Sequence, residues 1–99
     1  MRNTIYGILL GMKVFMFSRD GRDYSRAADE FVENMRRRYK DREITLVNLD
    51  TREGDAQASL YDITQYPAIV VADDDGRPRD SWQGLPLPLI DEVMGTLIN

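Results

Sequence analysis

Neither cysteine nor histidine occurs anywhere in the 99 residues. The first absence removes disulfides and thiolate nucleophiles, and the second removes imidazole as a base and as a metal ligand. No metal site and no cofactor are expected. Long apolar runs are missing as well. Residues 5–10 (Ile-Tyr-Gly-Ile-Leu-Leu) lie between Arg2 and Lys13, far short of the ~20 residues that a membrane-spanning helix needs. As a secretory signal the same stretch has too short an apolar core and no small-residue cleavage pattern. No membrane association and a cytoplasmic location are therefore expected, and a cysteine-free chain suits a reducing compartment. An excess of positive charge is also lacking: thirteen Lys and Arg against seventeen Asp and Glu give a net charge of −4, which opposes nucleic-acid binding. There are no internal repeats, low-complexity tracts or linkers, and the length suits one domain. With 42% hydrophobic and 30% charged residues, that domain has the material for an ordinary core.

The pattern along the chain predicts alternating strands and helices. Val14, Phe15, Met16 and Phe17 form a short apolar run closed by a polar cluster, the mark of a strand buried on both faces. Tyr24, Ala27, Ala28, Phe31, Val32, Met35 and Tyr39 then recur at helical spacing. Asp20 or Asp23 is placed to cap that helix, and Arg36, Arg37, Arg38 and Lys40 suit its negative end as a solvated face. Residues 43–49 read as a second buried strand, and a helix between two strands implies a parallel pair. Residues 56–61 suggest a short helix after Gly54 and Asp55. Pro67 opens a third strand, Ala68 to Ala72, and Asp73-Asp74-Asp75-Gly76 turns the chain into an antiparallel edge strand. Leu89, Ile90, Val93, Met94, Leu97 and Ile98 complete a C-terminal helix after Pro86 and Pro88. The fold class is α/β: a central mixed four-stranded sheet in the order βαβαββα, flanked by helices. Residues 1–12 are set apart as an apolar N-terminal arm and residues 13–99 as the domain.

The segment Tyr61-Asp62-Ile63-Thr64-Gln65-Tyr66-Pro67, followed by Ile69 to Val71, the turn Asp75-Gly76 and Trp82-Gln83-Gly84, resembles the thioredoxin and glutaredoxin superfamily. Nearer the N-terminus, residues 17–27 (Phe-Ser-Arg-Asp-Gly-Arg-Asp-Tyr-Ser-Arg-Ala) are similar to the glutaredoxin strand and Cys-Pro-Tyr-Cys helix start. The resemblance covers roughly residues 13 to 98 and implies a thioredoxin-like fold. In its register Arg22 stands at the exposed nucleophilic cysteine, Ser25 at the resolving cysteine, and Tyr24 keeps the aromatic. Thiol–disulfide exchange requires a thiolate that attacks sulfur and leaves from it, so neither replacement supports it. The resemblance further implies a cis bond before Pro67 and a surface at Tyr66 and Pro67 that offers backbone to an extended peptide or to glutathione. Arg19 matches the family's basic residue before the first cysteine. The hydroxyl or acidic pair expected after the glycine is not matched, because Leu85-Pro86-Leu87 follows Gly84.

Three functions follow as expectations. The first is a redox-inactive module that binds an unidentified protein or peptide through Arg19, Arg22, Asp23, Tyr24, Ser25, Tyr66 and Pro67, with no catalytic residue. The second, as an enzyme or ligand carrier, is the binding or turnover of an anionic or thiol-containing small molecule, glutathione-like, engaged by Arg19, Arg22 and Ser25 where Arg19, Arg22 and Arg26 crowd the helix start. Against it, Asp20 and Asp23 are expected to pair with Arg22. The third is a dimeric scaffold formed through residues 1–11. Ser25 has no histidine to activate it as a nucleophile. Asp73, Asp74 and Asp75 lack the twelve-residue calcium-loop pattern and read as a solvated turn. Trp82 is expected to be core or half-buried cover.

Overall fold

The computed structural model describes residues 12–98. Four strands, β1 (Lys13–Ser18), β2 (Glu43–Asn48), β3 (Ala68–Ala72) and β4 (Pro78–Gln83), and three helices, α1 (Ser25–Arg38), α2 (Arg52–Leu60) and α3 (Ile90–Ile98), alternate in the anticipated order. The sheet order is β2-β1-β3-β4, with β1 parallel to β2 and antiparallel to β3, and β3 antiparallel to β4. Of the apolar arm placed at residues 1–12, residues 1–11 lie outside the described residues. Met12 itself is buried within the core.

Strand periodicity divides the interior in two. Val14, Met16, Ile44, Ile69 and Val71 face α1 and α3, where Phe31, Val32, Met35, Val93 and Met94 meet them. Phe17, Val47, Ala68 and Val70 point the other way, toward Ala58 of α2 and Ile63. Every residue of β3 is buried, as its central place requires, and half-buried Trp82 packs on the first cluster. Helix α1 buries Ala28, Phe31, Val32 and Met35, whereas Ala27, on the edge of the expected stripe, is exposed. Leu89 likewise falls outside α3 and is 71% exposed.

Three local expectations are corrected. Tyr24, not Asp20 or Asp23, is the N-cap of α1, and it makes no side-chain capping bond. Helix α2 begins at Arg52, capped by Thr51, whose side chain accepts from the Gly54 N–H at 2.9 Å. Strand β2 is an edge, with Leu46 39% exposed. The Leu49 N–H donates to the Ser18 carbonyl at 3.0 Å, so strand alternation directs the backbone groups of Ile44, Leu46 and Asn48 outward. Two of those outward carbonyls are occupied. Arg36 donates twice to Ile44, at 2.9 and 3.2 Å, and the Thr51 hydroxyl donates to Asn48 at 2.8 Å. Covering an edge in this way blunts pairing with another chain. The arginine run is thus more than a solvated face, since Arg38 also bonds Asp91 at 3.0 Å and ties α1 to α3.

The end of α2 closes as a Schellman motif: the Ile63 N–H reaches the Ala58 carbonyl at 3.0 Å and the Asp62 N–H reaches Ser59 at 3.2 Å. Asp62 takes the left-handed conformation this motif demands, at φ 56°. A left-handed L-residue costs roughly 1–2 kcal/mol. Glycine removes that cost but gains about 0.4–1 kcal/mol of unfolded-state freedom. Asp62→Gly is therefore expected to stabilise the fold by about 0.5–1 kcal/mol. Urea unfolding should show a raised midpoint at unchanged slope; a lowered midpoint contradicts this account.

Candidate functional site

The parallel pairing of β1 and β2 sets Ser18 beside Asn48, so the residues that follow the two strands emerge together. Arg19 follows β1 and Asp50 follows β2, and an Arg19 guanidinium nitrogen bonds the Asp50 carboxylate at 2.6 Å. Strand β3 runs the opposite way, so Tyr66 and Pro67, which lead into it, arrive at the same end of the sheet. The Arg19 guanidinium lies over the Tyr66 ring, 5.5 Å from its centroid. Its hydrogen bond to Asp50 is the chief cause that raises the Arg19 pKa above its ordinary value; burial opposes this, while the fields of Asp50, Tyr66 and Tyr24 add to the rise. Arg19 is thus a fixed cation, joining the helix start to the loop before β3.

Ser25 completes this corner. Its hydroxyl accepts the Arg22 N–H at 2.9 Å and donates to the Arg19 carbonyl, while the Ser25 N–H bonds the Arg22 carbonyl at 3.1 Å. The hydroxyl acts as a clamp on the loop. Arg22 and Asp23 are exposed, and the ion pair expected between Arg22 and Asp20 or Asp23 does not form among the described residues. Arg26 turns away to pair with Glu30 at 3.2 Å, so Arg19, Arg22 and Arg26 do not converge on one point. Tyr24 is half-buried.

The Tyr66–Pro67 peptide bond is cis, as is Leu85–Pro86. Pro67 is buried, and its carbonyl accepts the Gly84 N–H at 2.8 Å. The preceding loop is held by Gln83, whose side-chain oxygen accepts from Thr64 at 2.9 Å and Gln65 at 3.2 Å. Among the described residues the Tyr66 N–H and carbonyl have no hydrogen-bond partner. Behind the loop, Tyr61 donates to the Gly76 carbonyl at 2.8 Å. Burial pushes its phenol pKa up.

Sequence reasoning missed Asp50 and Gln83. Asp50 is 31 residues from Arg19 and carries no local signal. Gln83 lies within the quoted Trp82-Gln83-Gly84 segment, but only the backbone course shows that its amide reaches residues 64 and 65. The Asp73-Asp74-Asp75 turn is a hairpin tip: Asp73 pairs with Arg79 and Asp75 with Arg77. No metal-binding cluster occurs among the described residues, and none of their helices is long and apolar enough to cross a membrane.

No family model matches the chain, and no curated protein matches it either. Solved structures do. Thioredoxin O2 from Arabidopsis thaliana superposes with a TM-score of 0.72 at 16% identity, over 89% of this chain and 76% of that one. For thioredoxin O1 from the same plant the values are 0.71 and 18%, over 99% and 89% of the two chains. A thioredoxin from Fasciola hepatica gives 0.68 and 23%, over 97% and 86%. At these identities the likeness is one of architecture: the chain has a thioredoxin-like fold and carries no cysteine with which to exchange a disulfide.

Proposed function

We propose that this chain is a redox-inactive binding module that holds an extended polypeptide against Tyr66 and Pro67, with Tyr24 and the Arg19–Tyr66 stack forming the adjoining wall. The observation that carries the reading is the pair of unpartnered Tyr66 backbone groups at the end of the sheet. An extended peptide supplies one donor and one acceptor at matching spacing, the mode by which strand-like ligands gain affinity. The fixed loop lowers the ordering cost of binding. The small-anion alternative has less to support it, because Arg19 is neutralised by Asp50 and Arg26 by Glu30. The dimeric scaffold rests on residues 1–11, which lie outside the described residues.

Tyr66→Asp is the test. It removes a cation–π contact, worth about 0.5–1 kcal/mol at an exposed site, and sets a carboxylate against the proposed peptide. Peptides selected from a random displayed library against the wild-type protein should bind the variant at least about tenfold more weakly, a loss of ~1.4 kcal/mol. Their amide shifts should centre on residues 64–68. Peptides that bind both proteins equally, or that shift only other surfaces, would defeat the proposal.

A further inference from the structure

The sequence contains two Asp-Gly pairs, and both are followed by arginine: Asp20-Gly21-Arg22 and Asp75-Gly76-Arg77. Asp-Gly is the dipeptide most prone to isomerisation, because glycine leaves the attacking nitrogen unshielded and the backbone free to rotate. The reacting Asp-Gly pair and the arginine after it are common to both sites, so the fold is the chief source of a difference between them.

The fold treats them oppositely. In the β3–β4 turn, the Asp75 carboxylate accepts the Arg77 N–H at 3.3 Å and faces the Arg77 guanidinium at 3.4 Å. The nitrogen that would attack is also engaged, since the Gly76 N–H donates to the Asp73 carbonyl at 2.9 Å. In the β1–α1 loop neither restraint exists. Asp20 and Gly21 are exposed, and among the described residues neither the Asp20 carboxylate nor the Gly21 N–H has a partner. No heavy atom outside the immediate chain lies within 4 Å of the space where a Gly21 side chain would start. An exposed loop with free electrophile and free nucleophile is where such chemistry concentrates.

We propose that Asp20 is a site of spontaneous isoaspartate formation and that Asp75 is protected from it. The Gly21 nitrogen attacks Cγ of the protonated Asp20 side chain and loses its proton, and the side-chain hydroxyl leaves as water to give a succinimide. Water then adds to one of the two ring carbonyls. Opening at the side-chain carbonyl restores aspartate, and opening at the backbone carbonyl leaves the chain running through the side chain as isoaspartate. The water lost is the water regained, and no oxidant or cofactor is consumed. The product lengthens the loop by one methylene directly ahead of the Arg22 N–H to Ser25 clamp. The inference stands independently of peptide binding.

The test is to age the folded protein in mildly acidic buffer, cleave after aromatic residues so that Asp20 and Asp75 fall in separate peptides, and score isoaspartate by electron-transfer fragmentation. Isoaspartate should accumulate severalfold faster at Asp20 than at Asp75. In urea the two rates should converge, since both then sit in the same Asp-Gly-Arg context. Arg77→Ala should raise the rate at Asp75 in the folded protein. Equal rates in the folded state, a faster Asp75, or an unreactive Asp20 in the folded protein would overturn the proposal.

Discussion

Replacing Gly54 by alanine should destabilise the protein by at least about 3 kcal/mol, although the same change in an exposed helix stabilises by about 1 kcal/mol. Gly54 sits in the first turn of α2 and is buried. A Cβ there would overlap the Asn48 carbonyl oxygen and come within 2.8 Å of its carbon and 2.9 Å of the Thr51 hydroxyl. These are backbone and capping atoms, and they have no flexible end that can swing aside. The Asn48 carbonyl already accepts from the Thr51 N–H at 3.2 Å and the Thr51 hydroxyl at 2.8 Å, so relieving the clash breaks the cap as well, itself worth about 1 kcal/mol. Gly95 in α3 supplies the control, because nothing lies within 4 Å of a Cβ at that position. Gly95→Ala should stabilise the protein by the usual helix-propensity gain of about 0.8–1 kcal/mol, read as a raised urea midpoint. Opposite signs for the two substitutions support steric exclusion at Gly54; equal signs refute it. The effect should extend to the site, since Asp50 lies in the displaced turn and holds Arg19.

Gly54 also shows where the sequence was hard to read. A glycine amid polar residues looks like a helix breaker, so the start of α2 was expected after it. The tertiary approach of Asn48 instead requires glycine inside the helix, and the Thr51 cap was overlooked because of that. Strand β2 was misjudged for a related reason. Ile44, Leu46, Val47 and Leu49 make the same apolar run at an edge or in the centre, and only strand order reveals that Leu46 is left partly exposed. Helix α1, strand β3 and the hairpin were legible because their signals are local: a helical stripe, an unbroken run of buried small and branched residues, and a glycine after three aspartates. At the site, Tyr66, Pro67, Ser25 and Arg19 were found through resemblance, and three of them, Arg19, Ser25 and Tyr66, are linked by the observed contacts. Charge pairing was the least legible layer. Arg22 has two acidic neighbours in sequence and pairs with neither, while Arg19 finds its partner in the turn that follows β2. Side-chain direction decides such contacts, and it is not encoded in spacing along a loop.

Placing cysteine at positions 22 and 25 should convert the redox-inactive scaffold into a working oxidoreductase. The Ser25 N–H bond to the Arg22 carbonyl, at 3.1 Å, closes a turn that holds the two α-carbons within about 7 Å, the range a disulfide can span. In Arg22→Cys/Ser25→Cys the sulfur at position 22 is exposed at the start of α1, where the helix dipole and unpaired N–H groups favour thiolate. The sulfur at position 25 replaces a hydroxyl that already accepts the Arg22 N–H at 2.9 Å. The thiolate at position 22 attacks a substrate disulfide and expels one thiolate; the sulfur at position 25 then displaces the second and leaves an internal disulfide, which dithiothreitol reduces. The double variant should therefore catalyse insulin reduction, and mild oxidation should remove two hydrogens from its mass. Wild type and Ser25→Cys should show no turnover, and Arg22→Cys should stop at a mixed disulfide. A folded double variant that forms no internal disulfide would refute the assigned register of Arg22 and Ser25. If the disulfide forms but turnover stays at the wild-type level, the surface around Tyr66 and Pro67 does not admit an extended disulfide-bearing chain, and the peptide-binding reading fails with it.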